Sequence, residues 1–132
     1  MEKIIQAGNL TKVYGEKETS VTALDNIDVQ FNENEFTAIM GPSGSGKSTL
    51  LHCLAGLDRP TSGQILLKDQ DISTLNDKQL TKIRRDSFGF VFQAFNLIPT
   101  LTAEENITLP ASIAGRKPDM DWIKQVVETV DI

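Results

Sequence analysis

The sequence has one cysteine, Cys53, and one histidine, His52, in 132 residues. A single thiol excludes an intrachain disulfide and a cysteine-built metal site. Positive charge is also short, with 13 Lys and Arg against 18 Asp and Glu, net −5. Phosphate backbones attract basic surfaces, so nucleic acid is not expected as the main partner. A single nucleotide stays open, because it needs only a local site. No apolar run approaches the roughly 20 residues of a membrane span. The opening, Met1 to Gln6, lacks the apolar core of a secretory signal, and we expect a cytoplasmic location. The length suits one domain or part of one. Apolar residues at 39% and charged residues at 23% fit a folded globular chain.

The first third reads as strands. Ile4 to Ala7 and Leu10 to Tyr14 are apolar runs, and the polar stretch 15–20 is a loop. Ile27, Val29 and Phe31 alternate with Asp28 and Gln30, the period of a half-buried strand. The stretch 32–35 is a turn, and 36–40 is an apolar run expected to be a buried strand. Leu50, Leu51 and Leu54 recur at helical spacing, with Gly56 as the stop. The stretch 58–63 reads as a turn and 64–67 as a strand. Asn76 is placed to cap a helix carrying Leu80 and Ile83. The apolar run 88–92 is expected to be a second buried strand. Thr102 and Glu105 form a capping box, and Pro110 is expected to kink or interrupt the helix it opens. Residues 115–118 break the chain again. Trp122, Ile123, Val126, Val127 and Val130 line one face of a last helix.

Between the run 36–40 and the first helix lies the most informative segment. Gly41, Pro42, Ser43, Gly44, Ser45, Gly46, Lys47 and Ser48 satisfy G-x-x-x-x-G-K-[ST] at every fixed position. Glycines let the backbone curl around an anion with its N–H groups turned inward. The helix beginning near Lys47 adds unpaired N–H groups and the positive end of its dipole. Lys47 is expected to reach the β- and γ-phosphates, the Ser48 hydroxyl can ligate Mg²⁺, and Thr49 is placed to bond the α-phosphate. The competing reading is a glycine-rich strand-to-helix turn that holds nothing. The apolar run before it and the amphipathic helix after it favour the phosphate cradle.

In this context the chain resembles the N-terminal half of an ABC transporter nucleotide-binding domain. Within that family it is most similar to the bacterial lipoprotein-release, macrolide-export and peptide-antibiotic-export group. The residues that carry the resemblance run from Met40 to Leu51, from Leu54 to Gly63, from Arg84 to Gln93 and from Asn96 to Ile107. The resemblance implies an α/β fold: a partial P-loop NTPase core with an antiparallel β N-terminal subdomain, spanning residues 1–132. It places Tyr14 where the family keeps an aromatic that stacks on adenine; the competing reading is a partly buried strand tyrosine. It places Gln93 at the Q-loop, where the side chain contacts Mg²⁺ or the attacking water; the competing reading is a polar residue ending a strand. The segment 94–106 would receive a membrane-spanning permease subunit, and Phe95, Leu97, Ile98 and Leu101 make it apolar for a loop. Packing against the helix after Thr102 accounts for them equally well.

His52 is not the family's switch histidine and reads as a packing or surface residue, while Cys53 reads as core. The turn 61–64 only superficially matches the signature peptide. Lys78, Lys82, Arg84 and Arg85 read as a solvated helix face. No four apolar residues end in Asp-Glu, so the residues of Walker B are missing, as are the signature peptide and the switch histidine. The resemblance implies an ATP-binding transporter subunit that takes ATP and Mg²⁺ and pairs with a second ATP-binding domain. Its place would be the inner face of the cell membrane, held there by the permease. Alone, these residues are expected to bind ATP weakly, to hydrolyse it poorly, and to self-associate through an unpaired apolar edge. A stand-alone small kinase or GTPase is the alternative, but no Asn-Lys-x-Asp peptide and no arginine-rich lid support it. A binding module without catalysis is the third possibility.

Overall fold

The computed structural model describes residues 2–132, with Met1 of the opening stretch outside them. The chain divides into a first unit ending at Phe88 and a second, Gly89–Ile132. The first unit is built on strands β1 (Lys3–Tyr14), β2 (Val21–Asn32), β3 (Ser62–Leu67) and β4 (Gln70–Asp71). They form one antiparallel sheet in the order β2-β1-β3-β4. The two apolar runs at the start are thus one strand, and β2 begins at Val21, six residues before its alternating pattern is visible. Between them the polar loop carries one short 3-10 turn, Lys17–Thr19. The turn expected at 58–63 is shorter than its composition suggests, because β3 begins at Ser62, which pairs with Thr11 of β1.

Strand β1 buries both Ala7 and Leu10, three residues apart, although a regular strand would send them to opposite faces. The register slips between them, at Asn9, whose φ is 49° and whose N–H is taken by Asp28 Oδ1 at 2.8 Å. One extra residue restores the face, which is what a bulge does. Opposite the bulge stands Gly63 with φ 95°, where a Cβ would lie 2.5 Å from the Asn9 carbonyl oxygen.

Helix α1 (Lys47–Leu54) drives Cys53 and Leu54 into the core formed by Leu10, Leu24, Ile65, Leu67 and Ile72. Burial pushes the Cys53 thiol up from its ordinary pKa. Gly56, φ 67°, ends the helix as expected. Helix α2 (Asp77–Ser87) adds Leu80 to the same core and opens on a capping box between Asn76 and Gln79. Lys78, Lys82 and Arg85 are exposed, but Arg84 is not merely solvated: its Nη1 donates to the Gly56 carbonyl at 2.6 Å. It thereby satisfies an acceptor at the end of α1.

Two expected strands are not formed. The runs 36–40 and 88–92 are not strands. Phe36 is 96% exposed, Met40 89% and Val91 98%; only Ile39 and Phe88 are half-buried. Such runs suit a strand covered on both faces, but a strand also needs a hydrogen-bonding neighbour, and the sheet of the described residues offers them none. Instead Thr37 and Ile39 border a groove of about 550 Å³ whose other wall includes Ile4, Ile5, Phe31 and Leu51.

The second unit holds helices α3 (Ala103–Ile113) and α4 (Met120–Val130). The capping box of Thr102 and Glu105 is formed, and α3 runs through Pro110 uninterrupted. Pro110 lies in the last turn, where it costs one hydrogen bond, and its own carbonyl still accepts from Ala114. Gly115, φ 67°, then ends the segment. Ile107 and Pro110 of α3 share a cavity of about 410 Å³ with Trp122, Ile123 and Val126 of α4.

Candidate functional site

The segment 41–46 leaves the unpaired run 36–40 and enters α1 directly. Ser43 and Gly44 form a turn, closed by Ser45 N–H on the Pro42 carbonyl at 3.3 Å. Gly44 and Gly46 have φ of 77° and 88°, a region that side chains rarely adopt. Gly46 is the N-cap of α1, and because it has no side chain no cap competes for the donors of the first turn. A Cβ on Gly44 would meet nothing within 4 Å, so the turn has open space beside Gly44. A Cβ on Gly41 would come 2.9 Å from Ser45 Oγ, so the two ends of the loop close on each other.

Lys47 arches back over this loop. Its Nζ donates to the Gly41 carbonyl at 2.8 Å, the Pro42 carbonyl at 2.7 Å and Ser45 Oγ at 3.3 Å. The ammonium is thus held at the mouth of the turn rather than out in solvent. Ser48 is exposed on the first turn of α1, with Thr49 half-buried beside it.

Tyr14, the last residue of β1, stands next to this helix. Its phenol donates to Asp58 Oδ2 at 2.6 Å. Lys12, two residues back on the same strand, donates to Asp58 Oδ1 at 2.9 Å and to the Arg59 carbonyl at 2.7 Å. The same ammonium lies 4.8 Å from the centroid of the Tyr14 ring. The Asp58 hydrogen bond holds the phenol above its ordinary pKa, with burial adding to it. Burial pushes the Asp58 carboxyl up, but the bonds from Lys12 and Tyr14 together outweigh it and leave the carboxyl below its ordinary value.

In the first unit, then, Tyr14 stands beside α1, the helix that the loop 41–46 enters. Gln93 sits at an exposed bend of the second unit. Of the segment 94–106, Phe95, Leu97 and Ile98 are exposed. Asn106 organises it: its Oδ1 accepts from Ile98 N–H at 2.8 Å, and its Nδ2 donates to the carbonyls of Ile98, Leu101 and Thr102. Sequence reasoning missed Asn106, Asp58 and Lys12. The only available signal was an asparagine inside a helix, where its propensity is poor.

Among the described residues, no helix is long and apolar enough to cross a membrane. The ABC transporter family model matches residues 24–132. A macrolide export ATP-binding/permease protein, MacB of Marinobacter nauticus, is 48% identical over 87% of this chain and 18% of its own length. A lipoprotein-releasing system ATP-binding protein, LolD of Cytophaga hutchinsonii, is 47% identical over 88% of this chain and 51% of its own. The solved dimer of the ATP-binding cassette MJ0796 bound to ADP and Pi superposes with a TM-score of 0.82 at 45% identity, over 94% of this chain and 54% of that one. The chain thus spans about half the length of these cassettes, and its fold is the corresponding part of an α/β ATPase cassette. With its phosphate-loop motif, its sheet order and these likenesses in agreement, the chain belongs to the ABC transporter family.

Proposed function

We propose that this chain is the nucleotide-holding, N-terminal part of an ATP-binding subunit that powers export or extraction of a substrate through a membrane partner. The observation that carries this reading is the glycine turn 41–46. It has open space beside Gly44, it is free of a side-chain cap, and the Lys47 ammonium is held on the Gly41 and Pro42 carbonyls at its start.

These features fit a triphosphate. Backbone N–H groups from the loop and the first turn of α1 would surround the β-phosphate. Lys47 would exchange its bonds to the Gly41 and Pro42 carbonyls for phosphate oxygens, and Thr49 would hold the α-phosphate. Ser48 offers a hard hydroxyl oxygen of the kind Mg²⁺ takes, and Gln93 would supply a second oxygen near that ion. When bound with ATP, Mg²⁺ would neutralise charge on the β- and γ-phosphates. Tyr14 would receive the adenine on its ring. The segment 94–106 would face a permease subunit, and a second ATP-binding domain would pair with this one at the inner face of the membrane. Relatives with permease in their names and a neighbouring dimeric cassette support that assembly.

In the complete domain the activity would be ATP hydrolysis coupled to transport. These 132 residues alone should turn ATP over very slowly, because they contain no apolar run ending in Asp-Glu. Calorimetry and thermal unfolding with Mg-ATP test the reading. The wild-type chain should bind and be stabilised. Lys47→Ala should keep its fold but lose about tenfold or more in affinity, as a charge-assisted contact is removed. Unchanged affinity in Lys47→Ala would overturn the proposal.

A further inference from the structure

We propose that Asp58 is a positioning residue for base binding: it fixes the Tyr14 ring from its phenolic end and holds Lys12 against one face, leaving the other face for a purine. This inference rests on the nucleotide reading above and adds two residues to it.

Three contacts converge on Asp58. One carboxylate oxygen takes the Tyr14 hydroxyl at 2.6 Å and the other takes Lys12 Nζ at 2.9 Å. The carboxylate itself is placed by the turn after α1, where the N–H groups of Leu57 and Asp58 both donate to the His52 carbonyl. Tyr14 is 42% exposed at the end of β1, and a ring in that position would otherwise turn freely about its side-chain bonds. A hydrogen bond to a carboxylate is short and directional, and it removes that freedom before any ligand arrives.

Lys12 then decides which face is used. Its ammonium stands 4.8 Å from the ring centroid and its side chain is only 13% exposed. Its bonds to Asp58 and to the Arg59 carbonyl hold it there, so it is not a spare cation for phosphate. A cation on one face draws π density toward itself and leaves the opposite face less repulsive to another π system. Thr49, which acts on the same phenol, lies on the turn of α1 that carries Lys47 and Ser48.

The test compares a ligand with a base and one without. Calorimetry would measure Mg-ATP and inorganic tripolyphosphate on the wild-type chain, Asp58→Ala, Asp58→Asn, Tyr14→Phe and the Tyr14→Phe/Asp58→Ala double variant. Asp58→Ala and Tyr14→Phe should each weaken ATP about three- to tenfold, the scale of one lost orienting hydrogen bond, with tripolyphosphate unmoved. The double variant should be no weaker than either single one, and Asp58→Asn, which still accepts the phenol's hydrogen bond, should recover part of the loss. Tyr14 is the only tyrosine, so tyrosinate absorbance reports it alone. Its titration should fall toward the ordinary value of 10.0 when Asp58, which raises it against the opposing effects of Lys12 and Thr49, is replaced by alanine. Equal weakening of ATP and tripolyphosphate in Asp58→Ala, or no weakening of ATP, would overturn the proposal while the nucleotide reading stands. A wild-type chain that binds neither ligand would overturn both.

Discussion

Gly46 stands so close to Ala23 that a Cβ built on it would lie 2.5 Å from the Ala23 carbonyl oxygen. The loop 41–46 is therefore seated on the backbone of β2, and glycine at position 46 is required twice, by this approach and by its φ of 88°. Alanine at this position would carry backbone strain of about 1–3 kcal/mol and push the loop off the strand. Thermal unfolding of Gly46→Ala should show a clear loss of stability together with loss of Mg-ATP binding. Gly44→Ala shares a positive φ but meets no neighbour, so it should cost less.

Acid should weaken the first unit through Asp58 and Asp71. Hydrogen bonds from Ser73 hold Asp71 down, with burial opposing and Gln64 assisting, and Asp58 lies below its ordinary value despite its burial. A carboxylate depressed in the folded state contributes stability above its unfolded pKa and loses it as pH falls through the folded one. Both have an ordinary value of 3.8, so the loss should begin near there and deepen below it. Denaturant melts at descending pH should show this slope, and Asp58→Asn should flatten it.

Asn106 pins the segment that precedes α3. Asparagine-to-alanine substitution there would take the partner from the Ile98 N–H and the Leu101 carbonyl, while the Ile98 and Thr102 carbonyls keep their backbone donors, a local cost of about 1 kcal/mol. Amide exchange at Ile98 should accelerate in Asn106→Ala while the middle of α3, capped by Thr102 and Glu105, keeps its protection.

Phe36 and Met40 are the exposed ends of an apolar run that has no strand partner in the sheet of the described residues. Unpaired apolar backbone of this kind invites another chain. Light scattering should detect association that grows with concentration, and Phe36→Ser with Met40→Ser should reduce it. A clean monomer at high concentration would count against this.

The sequence by itself determined whatever depends on a few neighbouring residues. The caps at Asn76 and Thr102, the stops at Gly56 and Gly115 and the glycine turn before Lys47 are local hydrogen-bonding or φ requirements, and each is found where its residues stand. Only the tertiary structure decided what depends on residues far apart. The runs 36–40 and 88–92 have the composition of buried strands, yet pairing needs a partner edge that composition cannot supply. The bulge at Asn9 is visible only against β2 and β3. Arg84 reads as a solvated charge until the end of α1 is brought beneath it, and Asp58 reads as a turn residue until β1 carries Tyr14 and Lys12 to its two oxygens, 44 and 46 residues away in the chain.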